Sequence, residues 1–566
     1  MKTKAQFRLL GFAAAAVMLM VTLACINRPM KNAKPAPNIG SAISIPQSAE
    51  RDVDMLFVID NSGSMADEQA MLQAQFSALM TELRNITGGL PNVHLGVTST
   101  DLGTGMFQIT YCEDVGGDQG NLLTGNCTNP TGEPYIVDVE PQSCEITKNA
   151  DGTCSDTTCS QANCSAEPST TYVVDSETGC PRCRNYTGED LEDTFSCIAS
   201  LGTLGCGFEQ PLEAMYKALD TSNTANTGFI RPNAFLAVII ISDEDDCSAA
   251  NPQLFDNSQT DINSTLGPLT SFRCFEFGIT CDVNSRTAQG LRQNCQPRED
   301  AGALLYPVSR YINFLQSLKD PQMLVVAAIS GPVNNDSVTV GLDEYSQPEV
   351  QFSCSTERGG AVPAIRTKAV ISAFNDEDDM SWAYTSICSP TFTDALQGIG
   401  GKIKDILEFQ CLPSPLKGCA DIGAEFTVGG QDQCQANDVC QAQCNVQDIF
   451  ERGTPNETKS TVPPCLEVCN DGPCPGNTDR SQAYANGHPN ERDANLPVSA
   501  CWHINFQEMC PQSNYSEIII SRTTDPPPRS FSEVSCVQIS KTEQLCNDGV
   551  DNDEDGLIDL DDPDCQ

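Results

Sequence analysis

An α/β architecture with a doubly wound, mainly parallel sheet is predicted by three continuous apolar runs and by the amphipathic segments alternating with them. Met55-Leu56-Phe57-Val58-Ile59, Phe235 to Ile241 and Met323 to Ile329 lack the alternation of a half-solvated strand, so each reads as a strand buried on both faces. Between Glu68 and Ile86 the residues Leu72, Phe76, Leu79, Leu83 and Ile86 recur at helical spacing and form one buried stripe. His94 to Thr98 reads as the next strand, and Gln210 to Leu219 as a helix. Val308, Tyr311, Ile312, Leu315 and Leu318 mark a helix ahead of the third run, and Leu396, Ile399, Ile403 and Ile406 mark a last one. Strands separated by helices imply a parallel sheet covered on both faces.

The loop behind the first run carries the chemistry. Asp60-Asn61-Ser62-Gly63-Ser64 places one carboxylate and two hydroxyls on alternate residues, at the strand end where open α/β sheets bind ligands. Oxygen-only side chains at that spacing suit a hard divalent cation, magnesium above all. Ser and Asp also favour helix N-caps, so a plain capped turn is the competing reading. The segment resembles the metal-ion-dependent adhesion site of von Willebrand factor A domains, whose first motif is Asp-x-Ser-x-Ser. The resemblance implies a Rossmann-like fold over about 51–410 and a Mg2+ or Mn2+ ion held by Asp60, Ser62 and Ser64. It further implies a Thr from a glycine-flanked loop, matched by Thr203 in Leu201-Gly202-Thr203-Leu204-Gly205, and an acid after a later strand, matched by Asp243. Asp245 and Asp246 follow closely, so the acid that faces the ion is left open among them.

Two long insertions, about 102–190 and 244–300, separate these elements. The first holds Cys112, Cys127, Cys144, Cys154, Cys159, Cys164, Cys180 and Cys183 with little hydrophobic periodicity, as expected of a segment stapled by disulfides. Each insertion could cap the metal loops or decorate the surface. Cys180-Pro181-Arg182-Cys183 has redox-motif spacing, but no thioredoxin-like frame surrounds it, and a structural disulfide is the better reading.

Residues 1–25 read as an export signal. Lys2, Lys4 and Arg8 precede an apolar stretch, Leu9 to Ala24, too short for a confident span. Its end, Thr22-Leu23-Ala24-Cys25, resembles a bacterial lipobox and implies lipidation of Cys25, with ordinary cleavage near Cys25 as the alternative. Residues 26–50, rich in Pro, Asn, Ala and Ser, suit a flexible tether. These features predict secretion across the inner membrane and a lipid anchor in the outer membrane, at the cell surface or facing the periplasm. Thirty cysteines in 566 residues agree with an oxidising compartment. Setting Cys25 aside leaves 29, so one thiol is free, pairs between chains, or argues against the lipid.

Thirty-two basic against 76 acidic side chains give a net charge of −44, which disfavours nucleic acid and anionic membrane surfaces and attracts cations. At the carboxyl end, taking Asp551 as position 1 puts carboxylates at Asp551, Asp553, Asp555, Asp559 and Asp562, with Gly556 at the sharp turn and the Leu557 carbonyl available. That is EF-hand loop arithmetic for Ca2+, without flanking helices. Residues 546–566 resemble the calcium loops of dockerin and thrombospondin type 3 repeats, and Cys546 and Cys565 bracket the loop. Between the two units, about 411–545 reads as a small Cys-rich region, β by the run Glu517 to Ser521.

Catalysis finds little support. No Gly-x-Ser-x-Gly elbow occurs, and the chain holds only His94, His488 and His503, few for a nucleophilic triad. Gly398 to Lys402 lacks phosphate-loop spacing. The resemblance implies a non-enzymatic adhesion protein whose partner, a protein or glycan on a cell surface or matrix, completes the Mg2+ site with a carboxylate. A structural envelope protein stiffened by calcium and disulfides is the alternative, and a metal-dependent hydrolase is disfavoured.

Overall fold

The computed structural model describes residues 52–408 with short breaks, together with segments 43–46, 444–450, 458–463, 468–469, 472–473, 500–506, 516–522 and 530–536. The signal and lipidation site at Cys25 and the carboxyl-terminal calcium loop from Asp551 to Asp562 lie outside the described residues.

Eight strands form one sheet: β1 (Asp52–Ile59), β2 (Asn92–Ser99), β3 (Ile136–Val139), β4 (Thr171–Val174), β5 (Pro181–Arg184), β6 (Phe235–Ser242), β7 (Leu324–Ser330) and β8 (Tyr384–Ser386). Their order is β8-β7-β6-β1-β2-β3-β5-β4. The five strands from β8 to β2 run parallel, whereas β3, β5 and β4 are added antiparallel. The sheet is therefore mixed rather than mainly parallel along its whole width. The antiparallel edge comes from the first insertion, which extends the sheet instead of only capping or decorating it.

Pleating explains the two covered faces. Met55, Phe57 and Ile59 pack with Leu72, Phe76, Leu79 and Leu83 of α1 (Ala66–Arg84), Phe195 of α2 (Leu191–Ile198), and Leu396 and Ile399 of the last helix, Thr393–Glu408. Leu56 and Val58 point the other way, with Leu212 and Met215 of α3 (Pro211–Leu219), Tyr311 and Leu315 of a helix at Val308–Leu318, and Val370 of a helix at Ile365–Ser372. Because successive side chains alternate between faces, a strand apolar at every position is the one that can serve two helix layers. On the first face Phe76 and Phe195 stack with centroids 3.7 Å apart, and Phe57 lies 4.7 Å from Phe195.

Eight disulfides are present among the described residues, which fits an oxidising compartment. Cys180 pairs with Cys154 and Cys183 with Cys164. The redox-like spacing thus reflects one cysteine just before strand β5 and one within it, held by different partners. Residues 43–46, read as part of a free tether, form a strand antiparallel to Ser530–Cys536, which in turn pairs with Cys444–Phe450. The described parts of 411–545 are strands, as the run at Glu517 suggested. Among the described residues no helix is long and apolar enough to cross a membrane.

Candidate metal centre

The chain leaves β1 for β2 on one side and later returns to lay β6 on the other, so the carboxyl ends of β1 and β6 border the point where the winding reverses. A crevice at such a point is the usual ligand site of open α/β sheets. Asp60 directly follows β1 and Asp243 directly follows β6, and Asp60 N donates to Ile241 O at 2.9 Å. Asp60 is fully buried. Its Oδ1 accepts from Ser62 N at 2.7 Å and its Oδ2 from the Ser242 hydroxyl at 2.7 Å. The Ser62 and Ser64 hydroxyl oxygens are 3.3 Å apart.

Burial pushes the Asp60 carboxyl above its ordinary range, and the hydrogen bonds from Ser62 and Ser242 only partly offset this. Asp243 is pushed up to about 8, first by burial and then by the charges of Asp60 and Glu244, with Ser64 acting in the opposite sense. Asp243 Oδ1 has no hydrogen-bond partner. An unmatched buried carboxylate oxygen beside a second buried carboxylate is costly unless a proton or a cation joins them.

The neighbouring acids have other work. Asp245 accepts from the backbone N–H groups of Arg366 and Thr367, at the start of the helix Ile365–Ser372. Asp246 accepts from Leu212 N at 3.1 Å and pairs at 3.0 Å with the buried guanidinium of Arg366. Of the three acids left open by the sequence, Asp243 is the one with an oxygen to spare.

Thr203 comes to the same loop cluster by a clamp. The Gln69 amide nitrogen, on the first turn of α1, donates to Asp60 O and to Gly202 O, both at 2.9 Å, and its oxygen accepts from Gly202 N at 3.2 Å. Gly205 N donates to Asn61 O at 2.8 Å. Thr203, half-buried, sits between those two ties. A Cβ on Gly205 would lie 2.1 Å from Asn61 Oδ1, so a larger residue here would have to displace the Asn61 amide. Disulfides staple both insertions at the site: Cys112 to Cys206, and Cys247 to Cys274.

Sequence reasoning missed Gln69 and Ser242, which look like ordinary polar residues until the fold brings them to Asp60. It also missed Glu209 and Glu244. Asn61 Oδ1, Glu68 Oε2 and both Glu209 carboxyl oxygens are buried without a partner. Among the described residues no three carboxylate, imidazole or thiolate groups form a metal cage by themselves, so an ion here must draw on hydroxyls and water. The donor set of Asp60, Ser62, Ser64, Thr203 and Asp243 is of that mixed kind and fits a hard divalent cation.

No protein-family model matches this chain, and no curated protein matches it. Solved structures similar to it include the pilus adhesin SpaC from Lactobacillus rhamnosus GG in an open conformation, at 11% identity and a TM-score of 0.27 over 87% of this chain and 39% of that one. Another is the pilus adhesin RrgA from Streptococcus pneumoniae, at 9% identity and 0.24 over 88% of this chain and 57% of that one. The chain thus spans less than two thirds of either adhesin, and likeness at that level says nothing about ligand or mechanism.

Proposed function

We propose that this is an extracytoplasmic, metal-ion-dependent adhesion or ligand-binding protein with a von Willebrand factor A-type domain. The observation that carries the reading is the buried Asp243, whose Oδ1 lacks any partner beside Asp60 at the sheet's reversal point. Asp60, Ser62, Ser64, Thr203 and Asp243 would hold Mg2+ or Mn2+. A bound ion supplies an electrophilic position that a partner carboxylate can occupy. The chain's own part is orientation: Ser62 N and Ser242 fix both oxygens of Asp60, and Gln69 fixes the loop bearing Thr203. Using neutral hydroxyls in place of further acids leaves the ion's charge less compensated and so more attractive to an anion. A Cys25 lipid anchor and a Ca2+ loop at Asp551, Asp553, Asp555, Leu557, Asp559 and Asp562 complete the proposal.

The eight disulfides also suit a rigid envelope scaffold, and one experiment separates the roles. The immobilised oxidised chain is offered a library of acidic peptides, each paired with its Asn or Gln counterpart, in magnesium and in EDTA. Adhesion predicts capture of acidic members only, lost in EDTA and in Asp60→Ala. Capture indifferent to chelation and to that substitution contradicts it, and loss of protease resistance alone in EDTA favours the scaffold.

A further inference from the structure

A short hairpin outside the main sheet borders the Asp60–Asp243 centre. Cys354–Ser355 pairs antiparallel with Gly360–Ala361, and Thr356 N donates to Gly359 O at 2.7 Å across the turn. Two ties fix its base. Val362 N donates to Asp243 O at 3.0 Å, and the Cys354–Cys388 disulfide fastens its first strand to the loop behind β8. At the turn, the Nε of Arg358 lies 3.8 Å from Oε1 of Glu68, which stands in the first turn of α1 beside the clamp residue Gln69. The hairpin therefore extends from the Asp243 loop to the helix that follows the Asp60 loop.

Arg358 is only partly used by the protein. Its Nη2 donates to Ser389 O at 2.8 Å. Its Nε is buried without an acceptor and Glu68 Oε2 is buried without a donor, so the two side chains attract each other without a hydrogen bond. Among the described residues Nη1 finds no acceptor either, and the side chain is 25% exposed. In the buried Arg182 and Arg366, by contrast, all three guanidinium nitrogens donate. Exposed apolar groups accompany the spare donor. Phe352, just ahead of the hairpin, is 63% exposed, and its ring lies over Gly360, where an added Cβ would meet it at 2.4 Å. Leu204, next to Thr203, is 76% exposed.

We propose that this hairpin selects the partner, and that the partner is an acidic peptide segment with a large apolar side chain. One carboxylate of the segment completes the Asp60–Asp243 centre, a second pairs with Arg358, and the apolar side chain packs on Phe352. The inference rests on the reading of that centre as a metal site and deepens it by naming the ligand class. A planar guanidinium with unused N–H groups matches a carboxylate in shape and charge, and an aromatic ring beside an arginine is the pairing that dominates protein contacts. A chain of charge −44 repels acidic segments at long range, so a second acid on the partner needs a local cation to meet it. The aliphatic Leu204 favours an apolar peptide side chain over a hydroxylated sugar.

The test is capture of short synthetic peptides by the immobilised oxidised full chain in magnesium. Each peptide carries one Asp, either alone, with a second acid nearby, with a Phe or Leu neighbour, or with both; polygalacturonate is the glycan probe. Wild type is compared with Arg358→Gln, Arg358→Lys, Phe352→Ser and Asp60→Ala, and magnesium binding is read separately by calorimetry. Wild type should prefer peptides with both features. Arg358→Gln should bind magnesium as wild type does, keep its affinity for one-acid peptides, and lose about tenfold for two-acid peptides. Arg358→Lys should recover part of that loss, and Phe352→Ser should erase only the preference for a Phe or Leu neighbour. Equal capture of one-acid and two-acid peptides by wild type and Arg358→Gln would overturn the proposal. Loss of capture in Asp60→Ala would then leave the metal centre standing. Capture that depends on Arg358 but not on Asp60 would support the hairpin and overturn the metal centre. Capture of polygalacturonate alone, or of no probe, would overturn the peptide. Should Arg358→Gln fail to fold by circular dichroism, the double variant Glu68→Gln with Arg358→Gln, which strands no carboxylate, is read in the same way against Glu68→Gln.

Discussion

Asp60 is held from three directions before any ligand arrives, since Ser62 N, the Ser242 hydroxyl and the Gln69 amide all reach it. Gln69 is the less obvious of these, because one amide couples the Asp60 loop to the Thr203 loop across 133 residues of sequence. Gln69→Leu keeps the volume but strands the Gly202 N–H and two carbonyls, at about 1–3 kcal/mol. It should lower thermal stability by that amount and weaken Mg2+ binding about tenfold, the equivalent of about 1.4 kcal/mol, as read by melting curves and calorimetry. A variant that binds magnesium as wild type does would show that the clamp has no part in the centre.

At the same scale, Asp175 gives a pH signature on the inserted edge. Burial works against its ionisation, but the Thr178 N–H and the Arg184 guanidinium, 2.7 Å away, outweigh it and hold its pKa at about 2. A depressed carboxyl pKa stabilises the fold above the unfolded value, near 3.8, and that contribution is lost as pH falls towards 2. About 1–2 kcal/mol should disappear across this window. In Asp175→Asn the acid-induced loss of stability should be smaller by that amount in denaturant titrations at pH 4.5 and 2.5.

Elements differ in how far they could be read from the sequence. Three of the five parallel strands were legible because burial on two faces demands continuous apolar runs, and the long helices because their stripes recur at a 3.6-residue period, whereas the short strand β8 and the short helices Leu191–Ile198 and Ile365–Ser372 gave no such signal. The antiparallel edge was not legible either. Ile136-Val137-Asp138-Val139 and Pro181-Arg182-Cys183-Arg184 carry charges where a strand pattern expects apolar residues, and only the fold reveals that Arg182 and Arg184 neutralise Asp138 across the sheet. The Asp60–Ser64 motif was legible as a local spacing. The placement of the Thr203 loop depends on contacts between distant segments, Gln69 with Gly202 and Asn61 with Gly205, which no local spacing encodes.

The second insertion is organised by a single buried side chain. The Arg273 guanidinium, in the helix Phe272–Gly278, donates to the carbonyls of Leu254, Asp256, Gln259, Gly267 and Pro268. It gathers the loop much as a metal ion would, and burial lowers its pKa to about 10. Arg273→Met removes every one of these donors and should cost at least about 3 kcal/mol. Proteolysis should then start within 252–268 while the sheet remains folded. Uniform resistance to protease would show that the insertion has another organiser.

At the level of the whole molecule, a chain of charge −44 concentrates cations near its surface, and among the described residues the buried acids Asp54, Asp138, Glu213 and Asp246 are each paired with arginine whereas Asp60 and Asp243 are not. The exception is the sheet's reversal point, where Cys112–Cys206 ties the first insertion to the Thr203 loop and Cys247–Cys274 closes the start of the second insertion. Eight disulfides among the described residues fit an oxidising compartment. The central proposal rests on whether the reversal point holds a divalent ion.

That claim is tested most directly by calorimetric titration of magnesium into the oxidised full chain beside its Asp60→Ala variant, with circular dichroism to establish that both are folded. The account predicts saturable binding in the wild type and the loss of at least one equivalent in the variant at unchanged fold. Identical isotherms for the two folded proteins would contradict it.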